Sequence, residues 1–410
     1  MSVDVLVIGA GPAGLAAATR LRQLGVASVV VLEREAEAGG IPRHSDHAGY
    51  GVRDLRRVLT GPQYARTLTE RALSAGIDLR THAMVTGWDA HGAALVTSPL
   101  GRYSIAARVV VLATGARERP RAARLVPGDR PTGVMTTGML QQLVHLHHQP
   151  VGTRAVVVGA ELVSWSAVMT LREAGCEVVA MTTQHAQPEV YRAVSTLGRL
   201  GFSVPVARRT RIARINGHGR VSSVELEHLD SGVRRVLECD TVVFTGGWIP
   251  DFELAQLRGV EVNSGTRGPV VDAGLRTTVP GVFAVGNVVH PVDTADVAAL
   301  DGVHVAEQVL AQLAGELPTS PGVPIEVDAP FRWIAPNLVR PGDVRAPRNR
   351  ALLWSDANVA FPRIEVRQDD RVLTRRRVPW PVATGRVFRL PWDVFDAVRG
   401  DAGPVRVRLA

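Results

Sequence analysis

The first thirty-three residues constrain the fold more tightly than any other stretch of the chain. Residues 3–8 (VDVLVI) make a short β-branched run that suits a buried parallel strand. Gly9-Ala10-Gly11-Pro12-Ala13-Gly14 follows at once, then a helical stretch from Leu15 to Leu24 and a second strand from Ser28 to Leu32. Glu33 ends that strand, nineteen residues beyond Gly14. Each glycine meets a different physical need. Gly9 permits the tight turn, Gly11 lets the backbone approach a pyrophosphate, and Gly14 lets helix and strand pack closely. The helix start offers N–H groups and the positive end of its dipole to the phosphates, and Glu33 can accept ribose hydroxyls. Strand, G-x-G-x-x-G, helix, strand and acid in register predict an α/β chain with a Rossmann-like dinucleotide-binding unit.

Three later segments extend the pattern. Residues 108–116 (RVVVLATGA) read as a strand ending in Ala113-Thr114-Gly115. Residues 277–287 (TTVPGVFAVGN) read as a strand ending in Gly286-Asn287, with a helical stretch from Ala298 to Leu313 after it. Between them, Arg154 to Gly159 is another buried strand feeding a turn and helix. A first nucleotide fold, interrupted by a second and completed near residue 320, resembles the two-dinucleotide-binding-domain flavoproteins of the glutathione-reductase-like superfamily. The resemblance implies two Rossmann-like domains, the second inserted in the first. It places an FAD-binding domain at 1–117 and 269–320, an NAD(P)-binding-like domain at 118–268, and a small β-rich domain at 325–410. It also implies that FAD is the cofactor. Gly9, Gly11, Pro12, Ala13, Gly14, Glu33, Arg34, Gly40, Ala113, Thr114, Gly115, Gly286 and Asn287 are then its contacts. The family usually has Asp where this chain has Asn287, which removes one negative charge beside the phosphates.

The second fingerprint departs from the first. It reads Gly159-Ala160-Glu161-Leu162-Val163-Ser164, with Glu161 at the middle glycine and Ser164 at the last. A carboxylate there meets an approaching pyrophosphate; two like charges about 4 Å apart cost on the order of 1–4 kcal/mol even near a protein surface. The next strand, Glu177 to Thr182, ends with neither an acid for ribose nor arginines for a 2′-phosphate. The domain is expected to keep the fold and to have lost NAD(P) binding, with binding through a non-standard loop as the alternative.

The loop after Gly39-Gly40 narrows the class. The disulfide-reductase branch of the superfamily carries a redox-active cysteine pair there; this chain has Ile41-Pro42-Arg43-His44-Ser45-Asp46-His47 and no cysteine. The run GGIPRHSDHAGYGVRDLRRVLTGPQYA resembles FAD-dependent oxidoreductases of glycerol-3-phosphate dehydrogenase-like function. That branch commonly has a cysteine near Ser45, which this chain lacks. ATGARERP and GVMTTGMLQQLV resemble the FAD subunits of heteromeric amine, proline or opine dehydrogenases and of hydrogen cyanide synthase. In those, the second site is not the hydride source, which agrees with Glu161.

If NAD(P)H does not reduce the flavin, the electrons come from a substrate C–H bond. Oxidising an alcohol or amine carbon requires a base for the O–H or N–H proton, and histidine suits that role at neutral pH. His47 and His44 are the candidate bases. Tyr50 and Arg43 lie beside them in sequence, and Arg43 can hold a carboxylate or phosphate by two N–H bonds. Ordinary roles in tying down the loop or binding FAD compete with these assignments. His290, three residues after Asn287, belongs near the flavin's pyrimidine end on the family geometry, or is an ordinary loop histidine. His145, His147 and His148 lack a carboxylate or cysteine at ligand spacing and read as an exposed helix end rather than a metal site. No metal is expected.

Composition excludes other chemistry. All 47 basic residues are arginine, so no lysine can form a Schiff base or complete a P-loop. Nor can a lysine-bound water help O₂ react beside a flavin, which favours dehydrogenase over oxidase action. Cys176 and Cys239 form no CxxC pair, and a reducing, cytoplasmic setting is the default. The apolar stretch Val3–Ala18 mimics a signal peptide but lacks a basic leader and is interrupted by Asp4. No apolar run is long enough to span a membrane.

The formal charge of +8 is uneven. Residues 331–410 hold 16 arginines and 8 acids, so the whole excess lies there, with Trp333, Trp354, Trp380 and Trp392. The Pro/Gly-rich segment Leu317–Pro324 marks the boundary. Alternating arginine and apolar residues, with a hairpin at Gln368-Asp369-Asp370, predict a small antiparallel sheet with one wet, basic face. No nucleic-acid motif accompanies it, so a cap or docking role is expected. The expected partners are a small-molecule substrate and an electron-accepting subunit or a second copy of the chain. The leading function is an FAD-dependent dehydrogenase for a small alcohol, amine or phosphorylated metabolite, transferring hydride to flavin N5. Alternatives are an NAD(P)H-dependent flavoprotein reductase and a non-catalytic flavoprotein subunit that docks a partner.

Overall fold

Alternating apolar runs and glycine turns build two compact units, seen in a computed structural model that describes residues 1–190, 201–317 and 320–410. The first unit comprises Met1–Arg43, Ala48–Ala116 and Pro250–Ala410; the second comprises His44–His47 and Arg117–Ile249.

In the first unit, β1 (Ser2–Ile8) lies between β2 (Val29–Leu32) and the long strand Gly101–Leu112, parallel to both. Asp78–Arg80 extends the sheet beyond β2, and Val282–Ala284 extends it beyond Gly101–Leu112. Val5, Val7, Val31, Val111 and Ala284 have essentially no exposure. Such a residue contributes about 1.5–3 kcal/mol on burial, which explains why β1 carries no polar alternation within its core. The outer half of Gly101–Leu112 pairs antiparallel with Ala94–Ser98, which pairs with Met84–Trp88. Helix α1 (Pro12–Gln23) crosses the helix Ala295–Ala314 at a point where only glycine fits. A Cβ on Gly302 falls 2.1 Å from the Ala13 carbonyl oxygen.

The tail of the chain forms two sheets in this unit. One has the order Leu338–Val339, Val323–Val327, Val405–Leu409, Arg363–Gln368, Arg371–Arg377; the other joins Phe331–Ala335, Arg350–Ser355 and Phe388–Pro391. The hairpin at Asp369-Asp370 forms as expected, with Asp369 at φ 51°. The all-antiparallel expectation is corrected: Val323–Val327 runs parallel to Val405–Leu409, because the last strand inserts between the first strand of the tail and the hairpin. Trp333 and Trp354 stack across strands at 6.2 Å. The boundary segment 317–324 includes Pro318 and Thr319, which lie outside the described residues, and its end is already strand from Val323.

The wet basic face also looks different in structure. Arg375 and Arg408 converge on Glu365, a buried acid, at 2.6 and 2.7 Å. Their N–H bonds outweigh burial and hold its carboxyl below the usual range. Other tail arginines reach acids of the FAD-type half: Arg340 to Asp272 (2.7 Å), Arg348 to Asp301 (2.5 Å) and Arg389 to Asp293 (3.1 Å).

The second unit is a parallel sheet in the order Val134–Thr136, Thr241–Phe244, Arg154–Val158, Glu177–Thr182, Val206–Ala207, beside the helix Leu162–Glu173. A three-stranded meander spans Thr210–Asn216, Ser223–His228 and Arg234–Glu238. Residues 250–268 pack with the first unit instead. Asp251 N donates to Gly115 O (3.0 Å), Thr114 Oγ1 donates to Asp251 O (2.7 Å), and Trp88 Nε1 donates to Leu254 O (2.9 Å).

Candidate functional site

The first fingerprint is assembled from β1, α1, β2 and the 113–115 turn. Gly9 sits at φ 105°, and a Cβ on it meets Ala113 O at 2.5 Å; a Cβ on Gly14 meets Gly9 O at 2.0 Å. These two glycines are therefore demanded by the protein's own packing. Gly11 is not. A Cβ there has only Gly40 Cα within reach, at 4.0 Å, so the chain leaves open space where the sequence predicts a phosphate. No side chain caps α1 at Gly11, and its first turn carries no acid. Its first N–H groups thus face a position that an anion can fill. Gly40 (φ 64°) closes the far side of this cradle, where a Cβ falls 2.9 Å from Gly11 Cα.

Glu33 is buried at the end of β2. Its Oε2 accepts from Ala10 N (2.9 Å) and its Oε1 from Glu35 N (3.0 Å). The carboxylate is fixed by the turn it serves and keeps lone pairs for ribose hydroxyls. Arg34 is exposed and turned to Glu35 at 3.7 Å. Pro12 is the first helical residue, Ala13 is buried against Gly286, and Gly115 (φ 76°) has no neighbour within 4 Å of a Cβ.

The Gly286 turn brings a second set of polar atoms. Asn287 Nδ2 donates to Asp293 O (3.0 Å), which fixes the amide; its Oδ1 is buried without a partner. His290 Nε2 and Asp301 Oδ2 hydrogen-bond, and His290 Nδ1 is likewise buried without a partner. Orphaned buried polar atoms cost about 1–3 kcal/mol each, so this turn is built for a ligand with a hydroxyl donor. The residues fit FAD: an uncapped helix start for the pyrophosphate, Glu33 for a ribose, and Asn287 Oδ1 for a ribityl hydroxyl.

The candidate catalytic residues divide between the units. Arg43 and Tyr50 belong to the first, His44 and His47 to the second. Arg43 donates to Glu37 O (2.9 Å) and lies 3.9 Å from Glu35, so its guanidinium is committed to its own loop. Tyr50 packs against Tyr64, ring centres 5.9 Å apart. His44 is buried, and His47 is half-buried with its Nε2 3.1 Å from Ser45 Oγ. Sequence reasoning missed Gln141, whose Nε2 donates to Ser45 Oγ (3.4 Å) and Ser166 Oγ (2.8 Å). Its one signal was a polar pair, Gln141-Gln142, inside an otherwise apolar helical run.

The second fingerprint is filled by its own carboxyl. Glu161 caps the helix Leu162–Glu173: its side chain accepts from the Ser164 backbone N–H while Ser164 Oγ accepts from Glu161 N (3.2 Å). Thr245 Oγ1 donates to Glu161 Oε1 (3.1 Å). Burial, reinforced by Glu189, pushes the Glu161 carboxyl up to about 7 against the pull of Thr245 and Arg124. Burial also raises Glu118, which accepts from Gly138 N (2.8 Å) and Gly246 N (3.2 Å). Among the supposed exposed histidines, His145 is half-buried with Nε2 3.3 Å from Thr170 Oγ1; His147 and His148 are exposed. The helix turns inward there as a π-helical stretch, Gln142–Leu146. Cys176 and Cys239 are both free thiols and buried. Among the described residues, no helix is long and apolar enough to cross a membrane.

Residues 3–302 match the family described as pyridine nucleotide-disulphide oxidoreductase. One of the two kinds of opine oxidase chain from Agrobacterium tumefaciens, the A component, is 29% identical over 77% of this chain and 64% of its own length. Two solved structures share the fold. Thioredoxin reductase of T. acidophilum has TM-score 0.64 and 22% identity, covering 77% of this chain and 99% of that one. L-proline dehydrogenase from P. horikoshii has TM-score 0.59 and 18% identity, covering 77% and 56%.

Proposed function

The chain belongs to the pyridine nucleotide-disulphide oxidoreductase family, whose members typically bind FAD, and on that premise we propose that it is an FAD-dependent dehydrogenase of a small alcohol, amine or phosphorylated metabolite. One observation carries the proposal. The two fingerprints have opposite helix starts: α1 is uncapped and open at Gly11, whereas the helix after Glu161 is capped by that residue's own carboxyl. One dinucleotide seat is available and the other is occupied from within. A chain without a nicotinamide seat must take its electrons from a substrate.

Bound FAD supplies a hydride acceptor; the protein supplies position and proton handling. The α1 N-terminus and Gly11 receive the pyrophosphate, Glu33 a ribose, and Asn287 Oδ1 a ribityl hydroxyl. Ser45 Oγ, accepting from Gln141 Nε2 and from His47 Nε2, leaves His47 Nδ1 as the nitrogen that takes the substrate's O–H or N–H proton. His44 and Tyr50 border that base in sequence, and Arg43 holds the loop in place through Glu37. The relative from Agrobacterium tumefaciens is named as one subunit of an opine oxidase, which supports a further proposal: this chain too works beside a partner that accepts its electrons.

The test of the base is His47→Gln. It should leave the bound flavin's absorption unchanged and slow anaerobic flavin reduction by substrate about 10²–10⁴-fold, the usual size of a lost general base. An unaltered reduction rate removes His47 from the role.

A further inference from the structure

The sequence contrast between a neutral body and an arginine-rich tail leaves one arrangement that FAD binding alone does not explain. Asp301 lies on the helix Ala295–Ala314, next to Gly302, where that helix meets α1 at Ala13. Its side chain is 1% exposed. One oxygen pairs with His290 Nε2 and the other with Arg348 Nη1 at 2.5 Å. Arg348 comes from the tail, in the turn Pro347–Asn349, and also donates to Val297 O (3.3 Å). Arg348 and Asn349 both sit in the left-handed region, at φ 57° and 53°. Such a conformation costs about 1–3 kcal/mol for a residue with a side chain and persists where the surroundings over-determine it. Burial pushes the Asp301 carboxyl up, yet Arg348 and His290 together hold it at about 2. The pair is therefore ionised throughout the neutral range.

A carboxylate that accepts from Nε2 fixes both the ring plane and the tautomer of a histidine. The atom left over is His290 Nδ1, buried and unpartnered in the same turn as Asn287 Oδ1. We infer that Arg348 is a positioning residue of the cofactor site: acting through Asp301, it locks the His290 ring so that Nδ1 is held for the FAD that Asn287 also contacts. The tail is in this respect part of the flavin site. The inference rests on the FAD reading above and specifies which atoms hold that cofactor.

The experiment is a double-mutant cycle on the holoprotein, reading the FAD dissociation constant and the flavin midpoint potential. Arg348→Met and His290→Gln should each weaken FAD about tenfold, the size of one lost hydrogen bond to a charged group, and each should move the potential in the same direction. The double variant should add little to either single variant, and Arg348→Lys should restore most of the wild-type potential. If Arg348→Met fails to fold, Asp301→Asn read with His290→Gln replaces it in the cycle. Equal effects of the Arg348 change with and without His290, or a folded Arg348→Met protein with wild-type affinity and potential, overturn the inference while leaving the FAD reading standing. A wild-type protein that stays colourless in excess FAD overturns both.

Discussion

Glu161 shows how one side chain changes what a familiar turn can do. A Cβ on Gly246 falls 1.9 Å from its Oε1, so the carboxyl fills the space at the mouth of the second fingerprint. Its raised pKa has a definite sign. A group raised from 4.5 to about 7 in the folded state contributes stability that is full below about 4.5 and lost as pH rises through about 7. Glu161→Gln keeps the cap and removes the titration. Urea unfolding should find the variant more stable relative to wild type at pH 8 than at pH 4.5, by at most about 3 kcal/mol. An unchanged difference between the two pH values contradicts the burial of an ionisable carboxyl there. The substitution of Glu161 for glycine was legible in the sequence. Its partners Thr245 and Glu189 were not, because only the sheet register brings residues so far apart in sequence to one loop.

At the scale of elements, the first fingerprint separates packing from binding. Gly14→Ala drives a Cβ into Gly9 O and should destabilise the apoprotein by several kcal/mol, on the order of an overpacked core. Gly11→Ala has only Gly40 Cα within 4 Å and should leave apoprotein melting within about 0.5 kcal/mol, while weakening FAD at least about tenfold through the lost approach of pyrophosphate. Calorimetry of the apoprotein and flavin titration read the two effects independently; a destabilised Gly11→Ala apoprotein would show that the space at Gly11 serves folding instead. The strand-turn-helix order was readable because local spacing encodes it. The parallel pairing of Val323–Val327 with Val405–Leu409 was not, since a strand pair eighty residues apart leaves no period in the sequence.

Over the whole molecule, the arithmetic of charge acquires a physical meaning. The body's acids and arginines balance formally, yet Asp272, Asp293 and Asp301 are buried there and are paired with Arg340, Arg389 and Arg348 of the tail. The tail's excess charge thus serves contacts inside the chain. Arg340→Met should destabilise the protein by up to about 3 kcal/mol, toward the low end for breaking a buried pair, because Arg276 still holds Asp272 at 2.6 Å; urea unfolding of the variant showing no loss would mean the pair is dispensable. The sequence located the charge but not its partners, for the same reason that it missed Gln141: contacts between distant segments follow packing, not spacing.

The most direct measurement is anaerobic. Purified protein is loaded with FAD and mixed in turn with NADH, NADPH and a panel of small alcohols, amines and phosphorylated metabolites, while the flavin's visible absorption is followed. Bleaching by a member of the panel and none by either nicotinamide is the predicted result. Rapid bleaching by NADH or NADPH contradicts it, and with it the assignment of Glu161 as the residue that closes the second site.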